Sequence, residues 1–94
     1  MINLSKFMYE LIGTTTLAIF FPLLGDSQAG ILLGLWVITL FAEPISGAHF
    51  NPAVTLAFMF RKNSTLGTRR LKGLIYMLGQ FGGGVLGAFL CKII

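Results

Sequence analysis

The side chains able to do chemistry in this chain gather in one stretch, Ser46-Gly47-Ala48-His49-Phe50-Asn51-Pro52-Ala53-Val54-Thr55, with two more, Glu10 and Gln80, set inside apolar surroundings. No nucleophile is paired with a base, and His49 lacks the companion ligands a metal needs, so neither an enzyme nor a metal or cofactor is expected. The stretch can handle a neutral solute by hydrogen bonds or can serve only to cap and pack a helix. Pro52 suits the first position of a helix, where its missing N–H breaks no bond, and Asn51 is then the N-cap. A capping asparagine spends its carbonyl oxygen on the helix and keeps its amide N–H for a passing oxygen, while the positive end of the helix repels hydronium and other cations. That is conduction without protons; the competing reading is a plain buried cap. Gly47 and Ala48 are small enough for successive carbonyls to face a lumen. His49 adds one polar ring, either as a hydrogen-bonded pore-mouth residue or as a pH gate.

Such residues need elements to hold them. Residues 52–60 are apolar and stop at Arg61-Lys62; as a helix these nine residues span roughly 13–14 Å, about half of a ~30 Å bilayer core. Irregular backbone at that depth costs several kcal/mol per unpaired group unless it lines a cavity. Segment 46–60 is therefore expected to be a re-entrant loop followed by a half-helix. The composition agrees: 55% hydrophobic, 11% charged and a mean hydropathy of +0.85 fall outside the soluble range. Three apolar runs, at about 7–24, 29–43 and 73–91, are long enough to cross or nearly cross a bilayer. The expected fold is an all-α membrane protein, one unit over 1–94, with three transmembrane helices and one re-entrant half-helix. The second helix is expected to end near Glu43, because Pro44 disfavours helix for the residue before it. Lys6, the first apolar run and Ser27-Gln28-Ala29 also imitate a signal peptide, a reading that Glu10 inside the run opposes.

Glu10 is rare enough in a spanning helix to demand a functional or strongly structural role. A proton relay needs a second intramembrane acid, and Glu43 lies too near the interface to serve. Gln80, also within a span, is expected to hydrogen-bond to the loop or a neighbouring helix. Gly79, Gly83 and Gly87 recur every fourth residue, which lets helix backbones approach closely, and the row is expected to hold the third helix against its partners in an assembly. Gly82-Gly83-Gly84-Val85-Leu86-Gly87 formally matches a dinucleotide fingerprint but lacks the preceding strand and later acidic residue. Cys91, the single cysteine, excludes an internal disulfide. The net charge of +4 comes from residues that flank apolar runs rather than forming a stripe with interleaved aromatics, so no nucleic-acid partner is expected. In a three-span arrangement Lys6, Arg61, Lys62, Arg69, Arg70 and Lys72 share one side and Lys92 lies on the other, so the N-terminus is expected to be cytoplasmic. The sequons at Asn3 and Asn63 would then face inward and stay unmodified.

SGAHFNPAVT at 46–55 resembles the first Asn-Pro-Ala loop of the aquaporin and glycerol-facilitator (major intrinsic protein) family, and Glu10-Leu11-Ile12-Gly13-Thr14 and Gln80 with its glycines extend the likeness over nearly the whole chain. The resemblance implies that Gly47, Ala48, His49, Asn51, Pro52 and Ala53 line a pore and that Glu10 braces the loop by accepting hydrogen bonds from its N–H groups. It also places Ile31 at a filter position on the second helix, with lipid-facing packing as the alternative; an apolar residue there hints at glycerol-like solutes. Family members carry a second repeat with its own Asn-Pro-Ala loop and a filter arginine, which these 94 residues do not contain. The chain thus looks like half of a passive channel for water or small neutral solutes, with a bilayer, a complementary half or oligomer partners, and the solute as its partners. The rival expectation is a non-conducting or truncated structural subunit.

Overall fold

The computed structural model describes residues 4–61 and 66–94, apart from the side chains of 66–69. Asn3, Lys62, the Asn63 sequon and the Arg69 side chain lie outside that description. The described chain is helical: α1 (Leu4–Leu23), α2 (Gln28–Ser46), α3 (Pro52–Met59) and α4 (Leu66–Ile93). By length and apolarity two stretches qualify as membrane spans, α2 and the Arg70–Ile93 part of α4. In α1 the apolar residues are diluted by Lys6, Glu10 and three consecutive threonines. Two of those threonines turn their hydroxyls back on the helix, Thr15 to the Leu11 carbonyl at 2.7 Å and Thr16 to Ile12 at 2.8 Å, so neither leaves an unpaired donor in an apolar setting.

Ser27 caps α2 by accepting the Gly30 N–H. At its other end α2 runs three residues beyond the end expected at Glu43. Pro44 removes a single N–H from the last turn, and the helix closes after it with Gly47, whose φ of 89° allows its N–H to reach the Glu43 carbonyl at 3.0 Å. One lost bond so close to a cap does not terminate the helix earlier. The last helix also starts sooner than expected, at Leu66 instead of Gly73.

α4 lies along α1, and the glycine row makes that possible. A Cβ on Gly79 would stand 3.2 Å from the Phe7 carbonyl, and one on Gly83 would stand 2.7 Å from the Leu11 carbonyl and 3.0 Å from the Thr15 nitrogen. Gly87 is filled by Ala18 in the same manner. The row is thus used inside the chain, on α1, where the sequence suggested contacts within an assembly. Gly34 of α2 admits the Phe20 ring of α1, Gly73 of α4 admits Met59 of α3, and Gly13 of α1 admits the Phe50 ring. Glycines thus bring α4 to the backbone of α1 and make room for side chains at the other contacts, and what the helices surround is polar: Glu10, Thr55 and Gln80 are the largest fully buried side chains among the described residues.

Candidate functional site

The loop between α2 and α3 has a shape its sequence does not favour. Gly47 has φ 89°, and so do two residues with side chains adopt positive values, Ala48 at 55° and Phe50 at 53°. A left-handed L-residue costs about 1–2 kcal/mol, so Ala48 and Phe50 together store roughly 2–4 kcal/mol. The loop keeps this shape because side chains of α1 and α2 accept its N–H groups and α4 holds those side chains in place.

Glu10, 0% exposed on α1, is the hub. Its Oε2 accepts from the Ser46 hydroxyl at 2.7 Å and the His49 N–H at 3.2 Å, and its Oε1 accepts from the Phe50 N–H at 2.9 Å and the Gln80 amide at 2.8 Å. Bonds to a charged group contribute about 1.5–3 kcal/mol each, so the two from the loop N–H groups, about 3–6 kcal/mol together, are of the size needed to offset the strain of the two left-handed residues. Ser46 also accepts the Ala48 N–H at 3.1 Å. Tyr76, one turn before Gln80 on α4, donates its hydroxyl to the Ser46 carbonyl at 2.7 Å. The end of α2 is thereby tied to both α1 and α4.

Asn51 caps α3: its backbone is extended at φ −152°, and its Oδ1 accepts the Ala53 N–H at 2.8 Å. The Asn51 side chain is otherwise exposed, its amide N–H free of any described partner, while Pro52 is half-buried and Ala53 exposed. His49 is half-buried; its Nδ1 lies 2.9 Å from the Thr55 hydroxyl, and its ring stacks on Phe58 at 4.5 Å and tilts against Tyr76 at 5.0 Å. Gln80 completes the cluster by giving a second amide hydrogen to Thr55 at 2.7 Å.

The structure therefore brings together Glu10, His49 and Gln80, with Gly47, Ala48, Asn51, Pro52 and Ala53 along the loop they hold. Ile31 is apart from them, half-buried in the first turn of α2, at the end of that helix remote from the loop. Ser46, Phe50, Thr55 and Tyr76 are participants that the sequence reading did not single out. Thr55 and Met59 are the buried residues of α3, one turn apart, and Tyr76 and Gln80 have the same spacing on α4. The four-residue spacing of Tyr76 and Gln80, two polar side chains on one face of an otherwise glycine-rich and apolar helix, is a signal that points to Tyr76.

Comparison with known proteins bears on the same region. The family model described as "Major intrinsic protein" matches residues 24–94. Similar curated proteins include aquaporin-8 of Mus musculus, 42% identical over 66 residues, covering 69% of this chain and 23% of that protein. Lens fiber major intrinsic protein of Bos taurus is 41% identical over 63 residues, covering 65% and 22%. The chain thus matches less than a quarter of the length of these relatives. No solved structure matches it.

Proposed function

From a chain that belongs to the major intrinsic protein family, we propose one re-entrant half of a passive membrane channel for water or small neutral solutes such as glycerol. The family is one of channels, so the chain is not an enzyme. In this reading α1, α2 and α4 all cross the bilayer and α3 dips into it from one side. The observation that carries the reading is the loop at 47–51, strained yet braced by a buried carboxylate, which opens a short helix with an exposed capping asparagine. A loop that served packing alone would have no use for an exposed Asn51 amide at the positive end of a half-helix. Gly47, Ala48, His49, Asn51, Pro52 and Ala53 line the pore, Glu10 and Gln80 brace the loop, and Ile31 sits at the filter.

A single half-helix reaches about the midplane, so conduction needs a second half of opposite orientation whose half-helix meets the first. The basic residues beside α1, α3 and α4 put the N-terminus in the cytoplasm. The test is Asn51→Asp in the assembled channel, which keeps the cap and replaces a neutral donor by an anion. Osmotic shrinkage of vesicles should slow or a cation current should appear; unchanged shrinkage with no current would remove Asn51 from the pore and with it this reading.

A further inference from the structure

Hydrogen-bond accounting around Thr55 determines which nitrogen of His49 carries the proton. A carboxylate only accepts, so the Gln80 atom 2.8 Å from Glu10 Oε1 is the amide nitrogen; a flipped amide would set two oxygens against each other. One amide hydrogen goes to Glu10 and the other to Thr55 Oγ1 at 2.7 Å. Thr55 is 1% exposed, and the other group in hydrogen-bond reach of its hydroxyl is His49 Nδ1 at 2.9 Å. A hydroxyl has one hydrogen to give. Were Nδ1 protonated, Thr55 would receive two donors while its own hydrogen lay buried with no acceptor. With Nδ1 bare, each hydrogen from Gln80 through Thr55 to His49 finds one.

We propose that Gln80 and Thr55 are positioning residues that hold His49 as the neutral tautomer protonated on Nε2, so that the ring offers a donor, and no acceptor, beside Gly47. The Nε2 edge lies over that glycine, 3.4 Å from where a Cβ would stand, and no described residue hydrogen-bonds to it. A donor there is open to the oxygen of a water or polyol. That consequence rests on the channel reading; the position of the proton does not. The groups facing the ring are Glu10 from α1, Tyr76 and Lys72 from α4, and Phe58 from α3.

The 94-residue chain holds one histidine, so isotope-labelled histidine gives a single imidazole in solid-state NMR of the full chain in phosphatidylcholine bilayers. Above the ordinary histidine pKa of about 6.5, the Nε2–H form should exceed the Nδ1–H form at least about tenfold, matching the cost of one orphaned buried hydroxyl. Gln80→Met does not touch the ring, but it frees Thr55 to accept from Nδ1, and the two forms should become comparable. Thr55→Ser should keep the wild-type ratio and Thr55→Val should lose it, a pair that decides the matter even if Gln80→Met fails to fold. An Nδ1–H ring in the wild type, or a ratio indifferent to these substitutions, would overturn the proposal. Absent water flux through the channel assembled with its second half, with the ratio as expected, would overturn the channel reading and leave the tautomer standing.

Discussion

Glu10→Gln keeps the shape of the hub and changes only its charge and one acceptor. Four donors converge on the carboxylate, from Ser46, His49, Phe50 and Gln80, and a glutamine amide has one oxygen to offer them. The less costly orientation turns the new NH2 toward the former Oε2 side, because Ser46 can swing its hydrogen to the Ala42 carbonyl 3.4 Å away and accept from the amide. The His49 N–H is then orphaned, which costs about 1–3 kcal/mol, and the bonds from Phe50 and Gln80 fall from charge-assisted to neutral, about 1 kcal/mol each. The sum, about 3–5 kcal/mol, is a large part of the stability of an ordinary domain. It should appear as faster amide exchange at His49 and Phe50, by roughly a hundredfold to a few thousandfold at about 1.4 kcal/mol per decade, with the second half of α4 as the internal control. Hydrogen exchange in lipid nanodiscs reads this directly. Unchanged exchange at those two amides would show that the loop holds its shape without the carboxylate and would refute the brace.

Gly83 and Gly84 make a matched pair: Gly83→Ala drives a Cβ to 2.7 Å from the Leu11 carbonyl and should destabilise by about 1–3 kcal/mol. Gly84→Ala meets nothing within 4 Å and should stabilise by about 0.5–1 kcal/mol through helix propensity; thermal unfolding in mild detergent should order them Gly84→Ala, wild type, Gly83→Ala, and equal midpoints would place the α1–α4 contact elsewhere. The chain alone should not conduct, since six of its seven basic residues share one side in the three-span arrangement and fix one orientation. An impermeant thiol reagent should reach Cys91 from one side only, and vesicles holding the chain alone should keep lipid-like water permeability; two-sided labelling with rapid flux would defeat this.

What could be read from the sequence was whatever local chemistry determines. Asn51-Pro52 defines a cap and a first turn without reference to the rest of the chain, so the start of α3 is where those two residues put it, and its end at Met59 follows from the charges next to it. Pro44 misleads because the rule about the residue before proline is statistical, and a proline three residues from a glycine cap costs one bond. The glycine row was legible as a close contact but not in its direction. Its partners on α1 lie about seventy positions earlier, and spacing within one helix says nothing about which helix comes near. Thr55 and Tyr76 escaped for a related reason: Thr55 bonds Gln80 across 25 positions and Tyr76 bonds Ser46 across 30. The left-handed Ala48 and Phe50 have no local signal at all, since neither residue type prefers that conformation.

The span in sequence between Glu10 and its donors also sets an order of events in synthesis. The Phe50 N–H comes 40 positions after the carboxylate and the Gln80 amide 70 positions after it. At about 5–20 residues per second those partners emerge roughly 2–8 s and 3.5–14 s later. Until they emerge the first helix carries a carboxylate short of its partners, which hydrocarbon tolerates poorly, whereas α2 has no such burden in its interior. In the three-span arrangement proposed above, the second helix would be free to settle in lipid first, while the first waits in headgroups or in the insertion machinery. It would close over the loop once α4 arrives, so a helix made before its partners would be among the last of these elements to be locked in place.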